Sequence, residues 1–571
     1  MSARKKRWVL REPAPPQFLA AARGHSPLLA TLLYQRGLRD RASIEAFLAA
    51  DYKAGLHDPF LLKGMAAAAD RVAAAIRHGE PIAVYGDFDT DGVTAVALLK
   101  QAITAMGGDI QPYIPHRLRE GYGLNTEAID TLAASGIRLL ITVDCGISNA
   151  REVAHARGRG LDVVVTDHHT PPETLPDAVA VVNPKQPGCP YPDKGLVGVG
   201  IAYKLVQALV RRGFRPPLRK EDLLDVVALG TVADMGPLTG ENRVLVKAGL
   251  DAINTTRRPG LRALILAAGL RPGAITAADI GYGLAPRLNA AGRLDDAVRA
   301  YELLLAEDDA TAHMLAAELS QANRRRQDLT KELQQAARAH AEQLGKHTNR
   351  IVVLDGAEYQ AGIVGLVASR LVEDLGRPVL LVERGERTSR GSARSVPGFS
   401  IVDALASCQD ILVRYGGHAA AAGFTIETAH LAALEARLLA YAAEHLKDEL
   451  LTPAIEIDAE APLDALSWDL LEQLNTLEPF GQANPQPVLL ARRVRVAGAW
   501  ARGNEGQHLK LRLDDGNGGA PFDAMAFRLG ALAEHLQRPR YIDIAFTLER
   551  NDWNGSSSLQ LIIKDFRRAQ P

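Results

Sequence analysis

The stretch Val84-Tyr85-Gly86-Asp87-Phe88-Asp89-Thr90-Asp91-Gly92 places three carboxylates on alternate residues, directly after an apolar run. Residues 82–85 read as a buried strand and residues 93–106 as the helix that follows. The acids therefore crowd into a tight strand-to-helix turn. Two unit charges about 4 Å apart repel by roughly 1 kcal/mol in water and roughly 4 kcal/mol at an effective dielectric near 20. Taken alone, the segment fits an acidic surface turn as well as it fits a cation site. Its surroundings decide between the two.

Two more strand-like runs end in acids. Residues 138–143 deliver Asp144, followed by Cys145-Gly146, and residues 162–166 deliver Asp167-His168-His169. Residues 148–159 between them read as a helix, with Ser148 or Asn149 as its cap. The alternation predicts a doubly wound α/β domain over about 80–235. Open α/β sheets bind ligands outside the carboxyl ends of their strands, so the acidic clusters are expected along one edge. Residues 223–232 read as an apolar helix that ends at a further acid, Asp234.

These side chains offer oxygen ligands with a little imidazole. Asp89, Asp91, Asp144, His168 and Asp234 suit Mn²⁺ or Mg²⁺ better than a structural Zn²⁺, and Cys145, Cys189 and Cys408 show no metal spacing. Two adjacent cations need about this many carboxylates, with Asp144 as the expected bridge. Such a pair can orient and deprotonate a water and stabilise both oxygens of an in-line phosphoryl displacement. A His-His pair alone is more often a solvated turn; acids at three successive strand ends favour a metallophosphoesterase.

At 571 residues and 47% hydrophobic, the chain is long enough for three or four domains. A formal net charge of −1 exerts no global pull on nucleic acid, so contacts must come from local clusters of Lys and Arg. Three cysteines without a disulfide pattern fit a reducing cytoplasm. The basic stretch at 2–7 precedes only three apolar residues, too few for a signal peptide, and no run approaches a membrane span. We expect that stretch to be disordered or to graze DNA. Residues 308–345 contain no Pro and read as one long helix bridging two lobes. Residues 349–450 return to α/β character, and the alternation of Leu509, Leu511 and Leu513 with Lys510 and Arg512 suggests a small C-terminal barrel. Lys510 and Arg512 could track a phosphate backbone or form an ordinary solvated face.

The set Asp87-Phe-Asp89-Thr-Asp91-Gly92, Val143-Asp144-Cys-Gly146 and Asp167-His168-His169 resembles the DHH phosphoesterase superfamily. Within it, three segments resemble the RecJ family of single-strand-specific 5′→3′ exonucleases. They are Arg117-Leu-Arg-Glu-Gly121-Tyr122-Gly123-Leu124, Ala285-Pro286-Arg287-Leu288-Asn289-Ala290-Ala291-Gly292-Arg293, and Tyr415-Gly416-Gly417-His418 with Ala421-Ala422-Gly423. The resemblance implies a preface (1–60), a parallel-sheet DHH catalytic domain (61–305), a connecting helix (306–346), an α/β DHHA1 substrate-binding domain (347–450) and an OB-like nucleic-acid-binding domain (451–571). It makes Asp87, Asp89, Asp91, Asp144, His168, His169 and Asp234 the catalytic set. Asp87 is either a ligand or an acceptor that orients His168 or a water; His169 binds metal or substrate phosphate.

For the substrate, guanidinium forks suit phosphate. Ser392 and Arg394, in a loop rich in small residues at 385–395, are expected to frame a phosphate pocket with the Gly416-Gly417-His418 loop. Arg287 and Arg293 are assigned to substrate phosphates, with Asn289 between them, although Asn289 and Arg293 could equally tie a turn to the catalytic domain. Tyr122 could stack on a base or close a core edge. Arg324-Arg325-Arg326 reads first as a solvated face and second as a rail for DNA. The implied reaction is attack of an activated water on a terminal phosphodiester with inversion, the departing 3′ oxygen being stabilised by a cation or by His169. The implied role is DNA repair and recombination, with mononucleotides released from the 5′ end of single-stranded DNA, and with a single-strand-binding protein and a helicase as partners. A small-nucleotide phosphoesterase and a non-catalytic replication scaffold are the competing readings.

Overall fold

The structure, a computed structural model, describes residues 6–117, 119–294, 296–360, 362–516, 518–536, 541–553 and 555–569. Most of the basic N-terminal stretch and Leu118 of the 117–124 segment lie outside the described residues. The chain forms two compact units. One is Ala50–Lys447 with Gly481–Ala483; the other joins the described residues before Ala50 to Asp448–Phe480 and those from Asn484 on.

In the larger unit the predicted apolar runs form strands β1 (Ile82–Gly86), β3 (Leu139–Val143) and β4 (Asp162–Thr166), and β2 (Ile110–Tyr113) and β5 (Ala180–Val182) join them. They make a parallel sheet of order β2-β1-β3-β4-β5. β1 and β3 are buried throughout, as expected of strands covered by helices on both faces. Gly86 pairs with Val143, and Val143 with Thr166. The next residues, Asp87, Asp144 and Asp167, thus leave three neighbouring strands at one level.

Helix α1 spans Thr90–Ala105 and begins earlier than expected. Asp89 caps it, its Oδ1 accepting from the amides of Asp91 (2.9 Å) and Gly92 (3.1 Å). Aspartate is a strong N-cap, and that places Asp91 inside the first turn. Helices α2 (Gly198–Arg211) and α3 (Glu221–Ala233) pack on α1, and α4 (Ala285–Leu294) follows.

The long helix is α5, Asp309–Gln343, capped by Asp308. Its 35 residues extend about 50 Å at 1.5 Å per residue. Ala312, Leu315, Ala316 and Leu319 join the core of the first sheet, whereas Ala337 and Ala341 join a second core. That second core belongs to a sheet of order β9-β10-β8-β7-β6, made of β6 (Val352–Gly356), β7 (Val379–Glu383), β8 (Thr388–Arg394), β9 (Leu412–His418) and β10 (Ala421–Glu427), with α6 (Val364–Leu375) against it. Two expected loops are in fact strands. Residues 388–394 form β8, paired on both sides, and Gly416-Gly417-His418 ends β9. Small residues suggested a loop, but here they let strands approach closely: a Cβ on Gly417 (φ 145°) would lie 2.4 Å from the Ala421 carbonyl oxygen.

In the smaller unit, β11 (Leu489–Arg502), β12 (His508–Asp514), β13 (Phe522–Ala526), β14 (Tyr541–Trp553) and β15 (Ser556–Arg568) run in the order β11-β12-β13-β15-β14, and β14 pairs back with β11. This closed five-stranded barrel has OB-type connectivity. Phe18, Leu29, Leu32 and Leu33 from the N-terminal helices share a core with Leu489, Leu511 and Phe546. The stretch read as a preface is thus divided: its described residues up to Ala49 belong to this unit and those from Ala50 on to the larger one. Lys510 and Arg512 lie on the outer face of β12 and line a cavity with Trp500 and Arg502; Lys510 also pairs with Asp523 at 2.8 Å.

Candidate metal centre and nucleic-acid site

The strand ends bring together every acid expected at the centre. Ligand atoms of Asp91, His168 and Asp234 lie within 4.8 Å of one another, as do those of Asp87, Asp89 and Asp144, and those of Asp144, His168 and His169. Asp144 and His168 each belong to two of these groups. His168 Nε2 is 3.0 Å from Asp144 Oδ1, 3.5 Å from Asp234 Oδ2 and 3.9 Å from Asp91 Oδ2. Asp91 is fixed from outside its own motif: the amides of Gly198 and Val199, at the start of α2, donate to its two oxygens at 2.6 and 2.8 Å.

The electrostatics follow from this packing. Burial, and then repulsion by neighbouring aspartates, pushes the carboxyls of Asp87, Asp91 and Asp144 well above the usual range. Asp234 is pushed up to about 7, by burial and then by Asp89. Burial, and then His169, drives His168 down to about 3, so its imidazole is neutral.

The donor set fits divalent cations on an independent ground. Asp87 Oδ1, Asp144 Oδ1 and His168 Nε2 are buried and have no hydrogen-bond partner. Buried polar atoms are ordinarily satisfied, and three converging orphans on metal-ligating atoms are accounted for by a cation. Asp144 also holds φ at 60°, a sparsely populated conformation for a residue with a side chain, which functional sites retain when their surroundings impose it.

Asp167 was quoted in the motif but given no role. It is fully buried and accepts from the amides of His168 (2.7 Å), His169 (3.0 Å) and Ile147 (2.9 Å), and from His169 Nδ1 (2.8 Å). These contacts hold Asp167 ionised despite its burial. In turn, against the cost of burial, Asp167 raises His169 above the ordinary histidine value. The two DHH histidines are thus shifted in opposite directions, His168 down by burial and His169 up by Asp167. Tyr122 closes over this pair, with its hydroxyl 3.1 Å from His169 Nδ1 and its ring at 5.6 Å, edge-on. Its half-exposed ring remains open to solvent. The helix-start pair Gly198-Val199 was also missed, because an amide that grips a distant acid leaves no side-chain signature. A Cβ on Gly198 would lie 2.5 Å from Asp144 Cβ and 2.9 Å from Asp91 Oδ2. Gly198→Ala should therefore cost about 1–3 kcal/mol of stability through overpacking and weaken Mn²⁺ uptake, as read by thermal melts and calorimetry.

Beside the acids lies a cavity of about 400 Å³, lined by Asp87, Phe88, Asp89, Arg117, Asn289 and Arg293, among others. Arg117 stacks over Phe88 at 4.8 Å. Asn289 Oδ1 accepts from the Thr90 amide and hydroxyl, both at 2.9 Å, so it does tie α4 to the catalytic turn. Arg287 does not line this cavity. Six residues separate it from Arg293, a rotation of about 240° on a 3.6-residue helix, and its guanidinium bonds Gly283 O (2.5 Å) and Ser320 Oγ (3.2 Å). On β8, Arg394 bonds Ser392 Oγ (2.9 Å) and Ser369 Oγ (3.1 Å); a Cβ on Gly365 of α6 would lie 2.7 Å from its Nη2. Burial, and then mutual repulsion, lowers Arg117-facing Arg394 and brings Arg293 down to about 10. Among the described residues, Arg117, Arg293 and Arg394 form no ion pair. His418 is close enough to contribute to the lowering of His168.

A cluster of acids and imidazole on a parallel sheet, facing arginines across a cavity, defines a phosphoesterase of the DHH class. Family models agree: the DHH family N-terminal domain matches residues 81–231, the DHHA1 domain residues 348–447 and the RecJ OB domain residues 457–565. The chain belongs to the RecJ family. It is 38% identical to the single-stranded-DNA-specific exonuclease RecJ of Bacillus subtilis, over 99% of this chain and 71% of that one. It is 36% identical to RecJ of Salmonella typhimurium, over 94% of this chain and 95% of that one. Its fold matches the crystal structure of RecJ in complex with Mn²⁺ from Thermus thermophilus with a TM-score of 0.83 at 34% identity, covering 99% of this chain and 80% of that one. Among the described residues no helix is long and apolar enough to cross a membrane.

Proposed function

We propose that this protein is a metal-dependent exonuclease that degrades single-stranded DNA from its 5′ end, releasing mononucleotides. The observation that carries the reading is the cluster of orphaned, buried ligand atoms on Asp87, Asp144 and His168 beside a cavity that Asp87 lines with Arg117 and Arg293, which form no ion pair among the described residues. Asp89, Asp91, Asp144, His168 and Asp234, with Asp87, are the residues that would hold two Mn²⁺ or Mg²⁺ ions. When bound, such ions neutralise the acids, polarise the scissile phosphate and activate the attacking water.

The chain's own groups supply the rest. Asp91, clamped by the Gly198 and Val199 amides, and Asp89, which caps α1, hold the ligand geometry rigid. His169 keeps Nδ1 on Asp167, which leaves its Nε2 as the atom that would stabilise the departing 3′ oxygen by giving it a proton. Arg117, Arg293, Ser392 and Arg394, with the Gly417-His418 strand end, receive the terminal nucleotide's phosphate, and the Tyr122 ring offers a face to a base. Lys510, Arg512 and Trp500 on the barrel give the strand a second hold. The reading places the protein in the cytoplasm in DNA repair and recombination, where a helicase and a single-strand-binding protein would present its substrate. The test is incubation with Mn²⁺ and 5′- or 3′-labelled single strands of several lengths. Mononucleotides appearing from the 5′ end are expected. Cleavage confined to dinucleotides would favour the small-nucleotide reading, and no cleavage a scaffold.

A further inference from the structure

The row of cations continues past the residues assigned to the terminal phosphate. Arg324 and Arg325 of α5 are exposed, but Arg326 is half-buried and its Nε is a buried donor with no partner. Desolvating a guanidinium nitrogen without an acceptor is unfavourable, and an anion would supply what is missing. Arg326 adds to the repulsion felt by Arg293. Arg370 of α6, which packs on α5, adds in turn to the repulsion felt by Arg326. Among the described residues neither Arg326 nor Arg370 forms an ion pair; Arg370 reaches only Gln334 Oε1, at 3.5 Å. Ser369, the neighbour of Arg370 on α6, accepts from Arg394 at 3.1 Å.

Arg117 and Arg293 line the cavity with Asp87 and Asp89. Arg394 reaches α6 through Ser369, whose neighbour is Arg370, and Arg326 lies on α5, which packs against α6. A strand whose terminal phosphate rests at Arg394 would run from there to the scissile bond, and added charge on its 5′ end would extend toward α6 and α5.

We propose that Arg326 and Arg370 form a second phosphate station that accepts the outer phosphates of a 5′-di- or triphosphorylated strand. The proposal rests on the exonuclease reading above. The first cleavage of such a strand consumes one water, breaks the bond from phosphorus to the 3′ oxygen of the terminal nucleotide, and places the proton on that oxygen. The first product is therefore a nucleoside 5′-triphosphate, and the shortened strand carries an ordinary 5′-monophosphate.

The experiment uses the full chain in Mn²⁺ and one 3′-labelled single strand prepared with a 5′-hydroxyl, a 5′-monophosphate or a 5′-triphosphate. First-cleavage KM and the identity of the first product are measured. The triphosphate strand should give a KM no higher than the monophosphate strand and release a nucleoside triphosphate. Arg326→Ala and Arg370→Ala should each raise KM for the triphosphate strand about tenfold and leave the monophosphate strand within about twofold, with Arg326→Lys recovering part of the loss through its charge. A triphosphate strand that wild type cleaves poorly would overturn the proposal, as would variants that raise KM equally for all three ends. Failure of wild type on the monophosphate strand would instead remove the exonuclease reading beneath it.

Discussion

Asp144→Asn should reduce cleavage of single strands on the order of 10³-fold or more, because several kcal/mol of charge stabilisation would leave with one carboxylate that would hold the ions. The same change should raise the melting temperature of the chelator-stripped protein. Asp144 is buried beside Asp91, Asp89, Asp87 and Asp234, and all of them disfavour its charge. An amide of the same shape removes that repulsion. Asparagine is also chosen for its backbone: Asp144 sits at φ 60°, where Asn is tolerated and Ala is not, so the substitution changes charge with little added strain. Single-strand binding should remain measurable through the arginines. An active Asn variant, or one whose metal-free form melts lower than wild type, would contradict the assignment of Asp144 as a ligand.

Manganese should stabilise the protein, and by an amount that grows from pH 5 to pH 8. The sign follows from the raised carboxyls. An acid whose folded value is raised holds its proton more tightly in the folded state. Its contribution to stability is complete below the ordinary value of 3.8 and is lost as pH climbs through the folded value, about 7 for Asp234. Asp87, Asp91 and Asp144 shift in the same direction. The metal-free protein therefore loses stability across this window, while bound cations reverse the repulsion. At a hundredfold excess over Kd, binding adds about 2.7 kcal/mol, roughly 5–10 °C at 2–4 °C per kcal/mol. Thermal melts at several pH values, with chelator or with Mn²⁺, give the result directly. An increment that is flat with pH would show that these acids do not carry the ion.

Much of the centre was legible before the fold. Asp87, Asp144 and Asp167 each follow an apolar run of strand length, and a parallel sheet delivers such residues to one edge whatever the details of register. The 35-residue α5 was equally plain, since no Pro interrupts its pattern. The loop readings that failed share a cause. Residues 388–394 and the Gly416-Gly417-His418 segment are rich in small residues, which serve close strand pairing as readily as loops. Arg287 matched its motif, yet helical phase turns it toward Ser320 and away from Arg293.

The sequence by itself determined the local terms: that three apolar runs of the catalytic sheet are strands, that an acid follows each of the three, and that the ligands are hard oxygens with imidazole. Those properties depend on neighbours a few residues away. Only the tertiary structure decided which groups share a site. Asp91 is held by amides more than a hundred positions farther on, His168 and His169 are shifted in opposite directions by burial and by Asp167, and Arg326 separates from two exposed neighbours to join the cation row. Desolvation and pairwise charge energies depend on distances between elements, and no reading along the chain contains those distances.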